Sequence, residues 1–467
     1  MVSINSLLKT KNFYYKLILV LCFIASWFSI GTNNKDLMIF PLNKELSLVQ
    51  IINFIRLAFN LACFPILVIM FGINISKYKK NNIQSYLLFF IPLFYFLSQI
   101  PGLFYTSNSI WNILYIVSSI NILIILSLIV INFNYEELLL IIYIVFVLLL
   151  VVFIVALKND LARFLFGFFD NFYGNINTLF TGSIIRSSGT SRIALVMIVI
   201  YSTFSINLFK SKIFRSIPII IFISAIIQYQ SRTIMILLII YLIAQFIIKE
   251  SHSLKNFFDY IFLNIIMPVI VCIIFAYLSG FVQTKVSYKK SIERYNNYSI
   301  HYEVSDLTLI ENVYLNAVVL DREKQTKLRF MQKGNSLLSS SGRVKDWNEI
   351  INNFNYKENL FFGYGSQGDR FLINQTASNG LLYAFVSSGI IGLLFYLSFT
   401  LISCAQIIRY LFFDKTKSLI CHFSFMIMLI LLIRSLAESS YAIFGIDFIL
   451  FYAACVIIEK YNTALLK

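Results

Sequence analysis

A succession of apolar runs, each roughly 15–25 residues long, constrains this chain more than any other feature; short polar junctions separate them. Runs of that length match the hydrocarbon core of a bilayer. A backbone in lipid must satisfy its own hydrogen bonds, so each run is expected to be a helix. The charged fraction of 13% and mean hydropathy of +0.79 argue the same way, because a soluble domain carries about twice that charge. The expected fold is an all-α polytopic integral membrane protein of about twelve transmembrane helices. The spans fall near 17–31, 53–75, 85–104, 110–131, 138–157, 193–209, 216–230, 233–248, 261–279, 380–403, 419–433 and 441–458. The run after Lys16 lacks a small-residue cleavage site and reads as a first span, not a signal peptide.

The formal charge of +16 does not imply nucleic acid, since the basic residues sit at the ends of apolar runs. Positive charge there marks the cytoplasmic side. Lys9, Lys11 and Lys16 put the N-terminus inside, and Lys77, Lys79 and Lys80, then Lys210, Lys212 and Arg215, mark further inner junctions. Lys249 and Lys255, Lys415 and Lys417, and finally Lys460 and Lys467 complete the pattern, with both termini cytoplasmic. The turn at 132–137 is the exception, because it carries Glu136 and Glu137. Trp27 and Trp111 fall at outer interfaces, as aromatic belt residues. The chain divides into membrane helices one to nine over 1–279, with an outer loop at 158–191; a large outer loop at 280–379 between helices nine and ten; and helices ten to twelve over 380–467. The large loop carries 13 Lys/Arg and 10 Asp/Glu between Phe281 and Thr376, a mixed surface, and its stretch Val304–Met331 has amphipathic spacing. In the smaller loop, Leu161–Phe169 is apolar enough to lie along the membrane surface. All six cysteines lie in or beside the runs, which argues against a disulfide framework.

The segment Ser216–Ile248 would bury Arg232 in mid-membrane if it were one helix, and it would join two inner flanks by a single crossing. Two short helices turning at Ser231–Arg232 remove both conflicts and put Arg232 outside. With the sides assigned, Arg186, Arg192, Arg232, Arg343, Arg370 and Arg434 all lie at outer junctions or loops. Statistics disfavour arginine there. A guanidinium offers paired donors to phosphate or carboxylate oxygens, so arginines converging at headgroup level suit a lipid-linked diphosphate. The alternative is that single arginines pair with Asp369, Glu438 or Asp447, or reach lipid phosphates. Arg343 and Trp347, four apart, would share a helix face. Gly363 and Gly365 allow a tight turn or an N–H nest, and Gly389 and Gly392 permit close helix packing.

The stretch Arg343–Trp347, the Gly363-Tyr364-Gly365 turn and Ser378–Gly392 resemble the family of bacterial O-antigen ligases and O-antigen or capsule polymerases, and Ser231-Arg232-Thr233 resembles that family's arginine turn. The resemblance implies an inner-membrane enzyme with ten to fourteen helices and a large late periplasmic loop. It also implies glycan transfer from an undecaprenyl diphosphate carrier to an acceptor hydroxyl, without metal or cofactor. Arg232 and Arg343 resemble the arginines that stabilise the departing diphosphate; the outward placement of the remaining residues makes Arg186, Arg192, Arg370, Arg434, Trp347 and Asn379 further candidate substrate contacts. The family's ligases have a histidine before an asparagine where this chain has Ser378-Asn379. A serine hydroxyl is a poor proton acceptor at neutral pH, so the departure favours a polymerase whose acceptor is another lipid-linked repeat unit. Proton removal would fall to Asp369, Glu438, the diphosphate or water. A ligase acting on lipid A core, or a lipid-linked oligosaccharide flippase, are the alternatives. Expected partners are the lipid-linked donor and acceptor, membrane lipids and a chain-length regulator protein; nucleic acid is not among them.

Overall fold

The computed structural model describes residues 13–28, 48–79, 83–105, 109–166, 187–208, 212–229, 231–248, 261–271, 343–373, 376–413 and 418–464. Among these residues every regular element is helical. The helices are α1 Phe13–Phe28, α2 Leu48–Lys79, α3 Ile83–Leu97, α4 Ser109–Asn132, α5 Tyr135–Phe166, α6 Ser187–Leu208, α7 Lys212–Tyr229 and α8 Arg232–Ile248. A helix over 261–271 with a π-helical turn at Phe262–Ile266 is α9. Then follow α10 Arg343–Asn353, α11 Tyr356–Asn359, α12 Gly368–Ile373, α13 Gly380–Phe413, α14 Leu419–Ser435 and α15 Ile446–Ala464. Four described segments are long and apolar enough to cross a membrane: Tyr86–Phe104, Ile113–Asn132, Tyr135–Ile154 and Gly380–Phe412. Seven further apolar stretches among the described residues are shorter, 10–17 residues, including Ala58–Asn74 within α2 and Leu419–Ser435.

Burial sorts the helices. Residues Ile122–Val130 of α4, Ile193–Ile200 of α6 and Phe448–Ile458 of α15 are buried almost without a break, as is most of α14. Helices apolar on all sides belong at a centre, and α14 packs on α15, α4 on α15, and α6 on α14. Outer helices instead expose narrow apolar stripes: Val147, Val151 and Ile154 on α5, Ile236, Ile239 and Ile243 on α8, and Ile390, Leu394 and Leu401 on α13. Such stripes are penalised in water and at home in lipid. These features are those of a membrane protein. Inside, Ser26 donates to Asn60 at 2.8 Å, and Asn60 to Ser118 at 2.8 Å, tying α1, α2 and α4 through paired polar groups.

The acidic junction has a structural cause. Asn134 and Glu137 cap α5 reciprocally, each accepting the other's backbone N–H at 3.0 and 2.9 Å. Lys16 of α1 pairs with Glu137 at 2.6 Å, and Lys460 donates to Val130 O in the last turn of α4 and to Phe133 O just beyond it. Trp27 departs from the belt expectation: it is buried against Phe23, with ring centroids 6.0 Å apart. The Trp111 side chain and the stretch Val304–Met331 lie outside the described residues. Residues 161–166 continue α5, and 167–169 fall outside the description. No disulfide joins the five described cysteines.

The helix break expected at Ser231–Arg232 is present: α7 ends at Tyr229, α8 begins at Arg232, and the Ser231 carbonyl accepts Met235 N–H at 2.9 Å. The expected uninterrupted tenth run is different. In α13, Gly389 adopts φ 63°, ψ −160°, a conformation that L residues avoid. A side chain at Gly380 would meet the hydroxyl of Tyr396, sixteen residues on. A straight helix would separate those residues by about 24 Å, so the two halves of α13 fold back on each other at Gly389. Residues 390–413 alone rise about 36 Å, still enough to cross a bilayer core.

The break is filled by the segment 360–364. Ile390 N–H donates to Leu360 O at 2.9 Å, Ile391 N–H to Phe361 O at 3.3 Å, and Tyr364 N–H to Val386 O at 2.8 Å. Gly363, with φ 63°, lies against the backbone of residues 386–389, and Gly365 lies against Gly102 and Leu103. The glycine turn is therefore a splice into α13, and its Tyr364 N–H is committed there.

Candidate functional site

Charged side chains from four separate elements meet at one end of the bundle. Arg434 is the last basic residue of α14, where a cation complements the helix dipole. It is buried and pairs with Glu438, one turn on, and with Asp447. Asp447 sits in the first turn of α15, the favourable end for an acid. Its second oxygen lies 3.4 Å from Arg192 of α6. Arg343, the first residue of α10, donates to Thr233 Oγ1 at 3.2 Å and lies 4.0 Å from the free oxygen of Glu438. Lys460 is thirteen residues beyond Asp447 on α15, about 20 Å away, so the Lys16–Glu137 cluster marks the opposite end.

Among the described side chains three guanidiniums thus face two carboxylates, which leaves one positive charge over. Donors also exceed acceptors: the Nε–H groups of Arg192 and Arg434 are buried with no hydrogen-bond acceptor among the described residues, against one such unpartnered acceptor, Asp447 Oδ1. Buried donors seek partners. The cluster is chemically suited to bind an anion with several oxygens.

A second group of residues holds this cluster in place. Trp347 Nε1 donates to Ala377 O at 2.7 Å, and Asp369 Oδ2 accepts Ala377 N–H at 2.7 Å, so the two peptide groups that flank the Ala377 Cα are both held. Asp369 is buried and its other oxygen accepts Arg370 N–H at 2.9 Å. Burial raises its carboxyl above the ordinary value, partly offset by these N–H donors. The grip fixes the turn at Ser378, whose φ is 51°. Asn379 then caps α13, accepting Leu382 N–H at 3.0 Å, while its amide donates to Leu436 O at 3.0 Å just beyond Arg434.

Of the arginines singled out in the sequence, Arg192, Arg343 and Arg434 converge. Arg232 opens α8 beside Thr233; its side chain, like all of Arg186, lies outside the described residues. Arg370 stands apart and donates to Gln367 Oε1 at 3.4 Å. Glu438 is in the cluster, whereas Asp369, Trp347 and Asn379 are in the supporting layer. Sequence reasoning missed Thr233 as a ligand of Arg343, and it named Asp447 only as an ion-pair partner. An acid opening the last apolar run was the available signal. Comparison with protein-family models and with curated proteins finds no match to this chain.

Proposed function

We propose that this protein is a metal-independent glycosyltransferase that polymerises undecaprenyl diphosphate-linked repeat units into O-antigen or a related surface polysaccharide. In this reading it crosses the bacterial inner membrane about twelve times, with both termini cytoplasmic, the 280–379 loop periplasmic and the arginine cluster facing the periplasm. The observation that carries it is the convergence, among the described residues, of Arg192, Arg343 and Arg434 on two carboxylates at one end of an apolar bundle. An anion held there at headgroup depth, with its prenyl chain in lipid, matches a diphosphate-linked donor. Bidentate guanidiniums stabilise the charge that grows on the diphosphate as the glycosidic bond breaks.

The acceptor hydroxyl attacks the anomeric carbon of the donor sugar, the carbon–oxygen bond to phosphate breaks, and the electron pair leaves with the undecaprenyl diphosphate. The proton of the attacking hydroxyl passes to Glu438, which is at the edge of the cluster and partly open to solvent; Asp369 is buried among backbone donors and acts as a positioning residue. The test is polymer output from purified lipid-linked repeat units at equal folded protein. Arg343→Ala is expected to lower the rate by on the order of 10²-fold or more, with Arg343→Lys a poor rescue because it lacks the planar fork. Unchanged chain-length distribution in Arg343→Ala would refute the assignment.

A further inference from the structure

We propose that Glu438 is a specificity-determining residue: a resident carboxylate that admits a doubly charged diphosphate to the arginine cluster and keeps out the singly charged phosphodiesters of bulk phospholipid. The inference rests on the diphosphate reading of the site. Any arginine cluster at headgroup depth faces an excess of phospholipid phosphate, and attraction alone would not distinguish the two.

The two carboxylates of the cluster are held differently. Asp447 has a side chain 2% exposed, sits in the first turn of a helix and engages two arginines, one through each oxygen. It is a fixed counter-ion. Glu438 lies in the bend between α14 and a 3-10 turn at Ser440–Ala442. One of its oxygens pairs with Arg434, while the other is only within 4.0 Å of Arg343, and the side chain is 18% exposed. It can rotate away towards solvent without leaving a buried charge behind. Arg434 keeps Asp447, and Arg343 keeps Thr233.

Charge then decides what can replace it. Among the described side chains, the three arginines and two carboxylates sum to +1 with Glu438 in place and to +2 with Glu438 rotated out. A sugar–prenyl diphosphate diester carries two negative charges and matches the opened site. A phosphodiester carries one, so it would exchange one ion pair for another and gain none. It would also compete with a carboxylate tethered to the site, whose effective concentration is high. The resident acid therefore sets a threshold that a diphosphate passes and a phospholipid does not.

The experiment measures inorganic pyrophosphate binding by the full chain in phosphatidylcholine nanodiscs, with and without phosphatidylglycerol. Wild type should bind pyrophosphate nearly as well in either lipid. In Glu438→Gln, phosphatidylglycerol should weaken that binding by about tenfold or more, because the phosphodiester now occupies the vacated guanidiniums. Glu438→Asp, one methylene shorter and unable to span both arginines, should behave in the same direction and guards against loss of fold in the first variant. Glu358→Gln, on the exposed α11, removes an equal charge elsewhere and should behave as wild type. Equal lipid sensitivity in wild type and both Glu438 variants, or the same change in Glu358→Gln, would overturn the role of Glu438 while leaving the diphosphate site standing. Failure of folded wild type to bind pyrophosphate, or its displacement by phosphatidylglycerol, would overturn the diphosphate reading and this inference together.

Discussion

Removing either carboxylate of the arginine cluster deletes one negative charge, yet the two losses should differ sharply in stability. Asp447→Ala takes away the fixed counter-ion of two arginines. Arg434 is 5% exposed in its side chain and would retain Glu438, but Arg192 would lose its one described carboxylate partner while 26% exposed. Breaking a buried pair from one side costs about 3–5 kcal/mol. The partial exposure of Arg192 moves the estimate to the lower end, about 3 kcal/mol. Glu438→Ala leaves Arg434 with Asp447 and Arg343 with Thr233, and its side chain is 18% exposed, so the expected loss is about 1 kcal/mol. Reversible unfolding of the purified protein in mixed micelles, followed by tryptophan fluorescence, gives both values. Because Asp447 and Arg192 couple directly, Asp447→Ala with Arg192→Gln should cost less than the sum of the two single changes. A Glu438→Ala loss equal to or greater than that of Asp447→Ala would refute the division into a fixed and a displaceable acid.

Ser378→Ala should retain polymer output within about twofold, because the hydroxyl is a poor base and its one bond among the described residues is a 3.3 Å contact to Thr376 O; an inactive, folded Ser378→Ala would show a direct role for the serine. Asp369→Asn replaces one of the two oxygens that accept the Ala377 and Arg370 N–H groups and should destabilise by about 1–3 kcal/mol. The Asp369 carboxyl is raised by burial, so the folded state binds its proton more tightly than the unfolded state. Its contribution to stability is full below the unfolded value of about 3.9 and falls away as pH rises through the raised folded value. Thermal melts across that window should be flatter in Asp369→Asn, and identical pH curves would contradict the assignment. Gly363→Ala should cost about 2 kcal/mol or more, from left-handed strain and contact with the Val386 carbonyl. Gly72→Ala, in open space on α2, should be neutral or stabilising by about 0.5–1 kcal/mol. Melting temperatures of the two variants test that contrast.

Features governed by solvent preference could be read from the residues alone. Arg232 could not stay in mid-membrane, so the break between α7 and α8 followed, and the spacing of Arg343 and Trp347 anticipated α10. Other features depend on partners distant in the chain. Arg343 meets Thr233 across 110 residues, and Glu137 meets Lys16 across 121; no local pattern encodes either encounter. Asp369 looked like an available base because an acid beside Arg370 suggests polar surroundings. Its two backbone donors become visible only when the chain folds over it. The glycine turn was open to two readings, and the neighbour that decides between them is the interrupted backbone of α13.

That interruption also bears on how the molecule can be assembled and taken apart. The peptide groups freed at residues 386, 390 and 391 find their partners in 360–364, ahead of α13 in the chain and inside the segment assigned to the outer loop. Near lipid, each such group left bare would cost several kcal/mol. The folded-back half of α13 is therefore incomplete as an independent helix, and the loop is incomplete as a detachable module. Excising residues 343–375 to obtain a minimal membrane scaffold would strip the bend of the groups that close it. Modularity ends where backbone from one nominal unit finishes the hydrogen bonding of another.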